Sequence, residues 1–336
     1  MVVLGYIVAI IFFLLLVVSH ELGHFAAAKL FNVRVNEFSV GMGPLIYQKT
    51  KGETQYSLRA IPIGGFCKLE GEDGDSDDGR SFSKAAWWKQ IIILAAGATV
   101  NIIIAFLILV LVSLYAGSLS TTLNVVTEGG PADLAGIKAG DKIVAIDDTR
   151  YDDWTDIVLA INDAKGQPVK ITVQRGSEEQ SFTVTPIYNE ELGRYICGFS
   201  CKVTHSLGSS IKTAGEICIS YVEGFRDFLS RLFRGKAESD DVVGVVGIVS
   251  AVGQSAEYGI INVIVLMAVI SLNLGVVNLL PFPALDGGRI LATIIRVITG
   301  GRFTTEMESY LNAAGFAVLM GLMVFLIFKD TINLFK

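Results

Sequence analysis

The stretch Val17–His24 reads Val-Val-Ser-His-Glu-Leu-Gly-His and closes an almost unbroken apolar run that begins at Val2. A helix puts positions i and i+4 on one face. His20 and His24 would therefore project together and grip one metal ion, with Glu21 beside them for acid/base work. The run that carries them has the length of a membrane-crossing helix. Ionisable groups are expensive in lipid, and where they occur they are functional by default. Motif and setting together point to metal-dependent hydrolysis within a membrane.

The rest of the chain supports that setting. Its 336 residues are 51% hydrophobic, with mean hydropathy +0.54, and the apolarity comes in blocks. Four blocks are long enough to span a bilayer: Val3–His24, Ile91–Tyr115, Ile260–Leu280 and Leu311–Phe328. The first is read as a span rather than a cleaved signal, because no Lys or Arg precedes it and no small-residue cleavage site follows. A net charge of -6, without a basic patch interleaved with aromatics, argues against a nucleic-acid partner. Four cysteines are too few for a disulfide scaffold in a chain of this length. Cys197, Cys201 and His205 fall four residues apart, but Gly198 makes the segment a strand end and loop, so no shared metal-binding face is expected.

The segment Glu37–Lys68 is rich in Gly and in strand formers and reads as a small β-hairpin system lying against or in the membrane. The acidic loop Glu70–Asp78 has Asp at 73, 75 and 77. It lacks the Gly and the Glu that a calcium loop requires and reads as a solvated linker. Trp87-Trp88-Lys89 marks an interface. Strand-like runs at Leu123–Thr127, Lys142–Ile146, Val169–Gln174 and Ser181–Thr185, with a helix at Tyr151–Ala164, form an inserted soluble α+β domain. Ser209–Phe233 is an amphipathic surface helix, and the Gly/Val run Val242–Val252 a re-entrant or interfacial segment. The expected division is 1–118 (first membrane part), 119–204 (inserted domain), 205–259 (linker) and 260–336 (second membrane part). Lys and Arg gather in the first and third inter-span loops. The positive-inside rule puts those loops and the nearby active site on the cytoplasmic side, and the inserted domain and both termini outside.

A catalytic zinc takes three protein ligands and leaves a position for water. The only other histidine, His205, lies towards the opposite membrane face, so a carboxylate is needed. Between Tyr258 and Thr305 there is one acidic residue, Asp286, in the Pro- and Gly-broken string Asn278-Leu-Leu-Pro-Phe-Pro-Ala-Leu-Asp-Gly-Gly288. A metal is the obvious partner for it. The competing reading makes Asp286 the cap of a helix that starts near Gly288.

These strings resemble the site-2 protease family of intramembrane zinc metalloproteases (peptidase M50). Within it, the chain is similar to the bacterial branch that carries a PDZ domain and cuts anti-sigma factors and signal-peptide remnants. The resemblance rests on His-Glu-Leu-Gly-His, the strands Phe38–Gly43 and Arg59–Lys68, Trp87-Trp88-Lys89, Gly97-x-x-x-Asn101, Ser271-Leu-Asn-Leu-Gly, Leu-Asp286-Gly-Gly and the PDZ-like string Gly130-Pro-Ala-x-x-Ala-Gly136-Ile-x-x-Gly140-Asp141. It implies one Zn2+ per chain held by His20, His24 and Asp286, with Glu21 as the catalytic acid/base. Asn278, Pro281 and Pro283 would handle substrate, and the strands bearing Gly41 and Gly43 would pair with an unwound one. It implies a polytopic α-helical protein of the bacterial inner membrane with one PDZ-like insertion, fed by an upstream site-1-type protease. Ala98 stands where the family often has Pro, and Gly244-Val245 where it has Gly-Pro. A membrane scaffold built around the PDZ domain would predict a decayed metal site, and all four residues are present. A transporter would favour internal repeats, and none is seen.

Overall fold

The computed structural model describes residues 2–72, 74, 76–236 and 242–334. Asp73 and Asp75 of the acidic loop lie outside them. The chain divides into two compact units, residues 1–109 with 214–336, and residues 110–213.

In the first unit, α1 (Val2–Leu30) runs into two long strands, β1 (Val35–Lys51) and β2 (Thr54–Leu69), and α2 (Trp87–Ala116) follows. The strands pair antiparallel, but each bends back on itself. Residues 37–40 consequently pair with 65–68 on one side and with 55–58 on the other, while 47–51 form the far edge. The expected hairpin is thus a four-segment sheet. Its bends fall at Gly41, Gly43 and Gly64, with φ of 82°, 81° and 87°, backbone that glycine adopts freely. Its tip exposes Met42, Leu45, Ile46, Tyr47 and Ile61, as a membrane-associated surface would. Its base packs on α1 and α2 through Ala28, Val35, Leu69, Ile93 and Leu94.

The second unit holds β3 (Ser118–Val126), α3 (Pro131–Ala135), β4 (Lys142–Ile146), β5 (Thr149–Arg150), α4 (Trp154–Asp163), β6 (Val169–Arg175), β7 (Glu178–Val184), β8 (Ile187–Asn189), β9 (Arg194–Ile196) and β10 (Phe199–Thr204). The sheet order is β10-β3-β4-β6-β7, with β5 on β4. Alternating strand residues Ile143, Ile171, Val173 and Val184 meet Ile157 of α4 and Ile137 in one core. Asp153 caps α4 by accepting the backbone N–H groups of Thr155 and Asp156. This is the PDZ-like α+β domain. Cys197 is buried in its core and Cys201 lies on β10, so neither shares a helical face with His205.

The chain continues as α5 (Leu207–Phe233), α6 (Val245–Glu257), α7 (Ile260–Asn278), α8 (Asp286–Ile298) and α9 (Thr305–Leu334). Four helices, α1, α2, α7 and α9, are long and apolar enough to cross a membrane. The Gly/Val run forms α6, a regular helix packed on α1 and α7 through Val252, Leu16, Val263 and Met267. Its N-terminus is satisfied from a distance, because the buried Asp330 of α9 accepts the Gly247 N–H at 2.9 Å. A carboxylate suits the positive end of a helix. The acidic loop also differs. Glu70 accepts from Asn36 and Ser76, and Asp78 pairs with Arg34, so these two charges are anchored, while Asp77 is exposed.

In the PDZ-like domain, Asp141 is 2% exposed. It accepts two hydrogen bonds of 2.7 Å from Arg175 and the Lys138 N–H. The guanidinium holds its carboxyl below the usual carboxylate range. Its stabilisation is present above the unfolded-state value near pH ~3.9 and is lost as pH falls through the lower folded value. Replacing Asp141 by Ala removes the acceptor of the Lys138 N–H and leaves Arg175 with the Gly136 carbonyl. Thermal unfolding of the full chain at pH 7 should show the domain destabilised by about 2 kcal/mol, and the deficit should shrink below about pH 4.

Candidate metal centre

His20, Glu21 and His24 lie on α1 inside the span Ile11–Leu30. Gly23 lets α2 come close, since a Cβ there would lie 2.5 Å from the Ala96 carbonyl oxygen. On α2, Gly97 faces the two imidazoles, and a Cβ would fall 2.4 Å from His24 Nε2 and 2.8 Å from His20 Cε1. Any larger residue would occupy the space the rings need. Ala98 is fully buried, and its carbonyl oxygen lies where a Cβ on Gly275 of α7 would be 2.9 Å away. These small residues let three helices meet at the site.

Asp286 arrives from the other end of the chain. After Asn278 the backbone leaves the helix for the connector Leu279–Leu285 and re-enters at α8, whose first residue is Asp286. Gly287 and Gly288 are needed there, because a Cβ on them would meet the Leu279 and Phe282 carbonyls at 2.3 and 2.1 Å. Ala284 takes φ 74°, a left-handed conformation that costs a residue with a Cβ of order 1 kcal/mol or more. Its N–H is fixed by Asn312 Oδ1 of α9 at 3.0 Å. Arg289, one turn into α8, bridges Glu72 after β2 and Glu308 of α9, and Arg296 also pairs with Glu308. The Asp286 backbone is therefore held from several sides.

The three side chains converge. Asp286 Oδ2 lies 3.1 Å from His20 Nε2 and 3.4 Å from His24 Nε2, and the two Nε2 atoms are 3.2 Å apart. Four ligands at zinc–ligand distances of about 2.0–2.1 Å in a tetrahedron stand roughly 3.3 Å from one another, so these atoms sit as three corners of such a site. His24 Nδ1 lies 2.8 Å from the Ile93 carbonyl. That oxygen can only accept, so the ring proton is on Nδ1 and the Nε2 lone pair points inward. Asp286 Oδ2 is buried with no hydrogen-bond donor, and its helix is capped by the Leu285 backbone without a side-chain bond. The capping reading therefore has no support. Three lone-pair atoms facing one point in an apolar setting fit a divalent cation, and the N, N, O donor set fits zinc.

Around them, Asn101 of α2 is fully buried, with its carboxamide 3.4 Å from His20 Nδ1. Asn101 Oδ1 is without a partner. Turning that amide end for end would let Oδ1 accept a hydrogen bond from the Nδ1–H and leave the His20 Nε2 lone pair free. Ser271 of α7 donates to the Asn101 carbonyl at 2.9 Å. Asn278 brings its Nδ2 to 3.5 Å from His20 Nε2. Gly65 on the outer segment of β2 passes over Glu21, with its would-be Cβ 3.6 Å from Glu21 Cγ. Pro281 and Pro283 lie in the connector, and Gly41 and Gly43 at the sheet bend opposite Ile61. Sequence reasoning gave no site role to Gly97, Asn101, Asn312 or Arg289. The Gly-x-x-x-Asn spacing, four residues on a helix, was the available signal for the first two.

The model of Peptidase family M50 matches residues 8–322. Two clostridial proteins carry the name "Putative zinc metalloprotease". That of Clostridium perfringens is 37% identical over 329 residues, covering 97% of this chain and 98% of its own. That of Clostridium acetobutylicum is 35% identical over 328 residues, 97% of each. The Regulator of sigma-W protease RasP of Bacillus subtilis is 29% identical over 414 residues, covering 97% of this chain and 98% of that one. Among solved structures, the PDZ domain of an SdrC-like protein from Listeria innocua matches 26% of this chain and 97% of its own, at 25% identity and a TM-score of 0.23. With four apolar helices long enough to span a bilayer and a metal-binding motif inside the first, the chain belongs to Peptidase family M50 and is a metalloprotease of the membrane.

Proposed function

We propose that this protein is a zinc-dependent intramembrane endopeptidase that cuts single-span membrane proteins already shortened by a first extracytoplasmic cut. The observation that carries the reading is the triangle of His20, His24 and Asp286 donor atoms, 3.1–3.4 Å apart, inside a membrane-spanning helix bundle. Anti-sigma factors and signal-peptide remnants are the substrate classes the resemblance favours, and a full-length relative is named as a regulator of sigma-W. An upstream protease of the site-1 type would supply the shortened substrate.

His20 and His24 through Nε2, and Asp286 through Oδ2, would hold one zinc per chain. When bound, zinc supplies Lewis acidity toward water and the scissile carbonyl. Glu21 takes a proton from the attacking water as its oxygen bonds to the carbonyl carbon. It then delivers that proton to the leaving nitrogen as the C–N bond breaks. The Asn278 carboxamide, beside His20, donates toward the carbonyl oxygen as negative charge develops. The Ile93 carbonyl and Asn101 keep both imidazoles oriented. A helical substrate hides its carbonyls in hydrogen bonds and must unwind. The outer segment of β2, residues 65–69, passes Glu21 with one edge unpaired in the β1–β2 sheet, which supports added-strand pairing with an extended substrate. Gly41 and Gly43 shape that sheet, and Pro281 and Pro283 keep the opposite wall non-helical. Water reaches the site from the cytoplasmic side. The PDZ-like domain and both termini face outward, where the domain acts as a size filter in a bacterial inner membrane.

Elemental analysis of the purified protein should find about one zinc per chain, lost or sharply weakened in His20→Ala and Asp286→Ala. Zinc surviving in Asp286→Ala would remove it from the ligand set. Glu21→Gln should keep the metal while cleavage of a transmembrane substrate falls about 10^3-fold. Gly97→Ala should lower zinc retention as well as turnover, because the added methyl displaces the His24 ring. In reconstituted vesicles, a substrate that keeps its whole extracytoplasmic domain should be cut more slowly than a trimmed one. Equal rates would refute the filter.

A further inference from the structure

One face of the β1–β2 sheet carries a cleft of about 390 Å³ that the metal centre does not use. Strand alternation puts Tyr47, Lys49 and Lys51 on this face from one segment, Tyr56 and Leu58 from the next, and Phe38 and Val40 from the third. The register lines them up in two rows, Lys49–Tyr56–Phe38 and Tyr47–Leu58–Val40. The Phe38 ring meets Phe25 of α1 edge-on with centroids 5.4 Å apart, which closes the floor with aromatic carbon. At the rim, the exposed Lys49 and Lys51 have no carboxylate within ion-pair distance among the described residues, whereas the nearby Lys29 is paired to Glu53 at 2.6 Å.

The depth of this cleft follows from the same contacts. Glu53 in the turn between the strands is tied to Lys29, at the end of the span Ile11–Leu30. Gly65 in the same sheet reaches Glu21, eight residues and about 12 Å further into that helix. Lys51 and Lys49 therefore sit at the level of the lipid headgroups, while Tyr47, Ile46 and Leu45 continue along the strand as exposed apolar surface. We propose that the cleft binds one anionic phospholipid, with its phosphate between Lys49 and Lys51 and an acyl chain along Tyr47, Leu58 and Val40. The occupant is lipid rather than a soluble anion because the charges stand over an apolar floor at membrane depth. It is anionic because two unpaired ammonium groups face it. The proposal rests on the chain being a membrane protein and not on the zinc assignment.

Native mass spectrometry of the full chain in detergent tests it, with palmitoyl-oleoyl phosphatidylglycerol and the matching phosphatidylcholine added at equal concentration. One phosphatidylglycerol should be retained with a preference of about fivefold or more. Lys49→Gln with Lys51→Gln should erase the preference, and Lys49→Arg with Lys51→Arg should keep it. Leu58→Trp, which fills the floor, should lower retention of either lipid. The thermal unfolding midpoint of each variant in the same detergent, read in parallel, reports that it is folded. Equal retention of the two lipids by the wild type would overturn the proposal, and so would a preference that survives the double Gln variant. Displacement by inorganic phosphate would make this a small-anion site. Unchanged lipid retention with loss of substrate-peptide binding in the Gln variant would make it a peptide site, which also overturns the proposal.

Discussion

Three lone pairs aimed at one point inside an apolar bundle are unstable without a cation between them, and much of the first unit is organised to hold them there. His24 Nδ1 is committed to a backbone carbonyl, and the polar neighbours of Asp286 Oδ2 are the two imidazole Nε2 atoms. In lipid such groups would separate or neutralise if they were free to move. They are not free. Gly23 and Gly97 bring α1 and α2 into contact, Gly287 and Gly288 seat α8 against the connector, and the Glu72–Arg289–Glu308–Arg296 chain fixes α8 from two sides. Ala284 carries a left-handed backbone, the kind of local cost that persists only where the surroundings over-determine it.

The parts of this arrangement that could be read from the sequence are those whose signals are local or rare. The His-Glu-Leu-Gly-His string fixes its own geometry through helical spacing. Asp286 stands out because no other carboxylate lies near it in a long apolar stretch. The four spans follow from run length, and the principal strands of the PDZ-like domain from alternation. Signals that depend on distant partners were not legible. The acidic loop reads as solvated because Arg34 and Asn36 meet it only after the chain folds back. The helix within Val242–Val252 is not legible because the carboxylate that completes its N-terminus, Asp330, comes from the last helix. The strands β8 and β9 are three residues each, too short for a period to show.

The sheet between α1 and α2 combines two properties that seldom coexist. It presents an unpaired edge beside Glu21 and an apolar face outward. Open sheet edges are excluded from lipid unless protein or water covers them. The doubled-back register keeps the number of such edges to two while packing four segments against the helices. Its glycine bends are therefore structural requirements: a Cβ at Gly41 would lie 2.7 Å from the Ile61 carbonyl oxygen and force the segments apart.

The donors of one site come from opposite ends of the polypeptide, with the whole PDZ-like domain threaded between them. During synthesis, α1 enters the bilayer long before α8 exists. A partly made chain thus holds two histidines and a glutamate but no third donor, and cannot assemble the triangle. Only when the connector has been threaded and α9 has followed, so that Asn312 can fix Ala284 and Glu308 can engage Arg289, is Asp286 fixed in place. The order of these three side chains along the chain acts as a built-in delay: a product of translation that stops before α9 cannot bring them together.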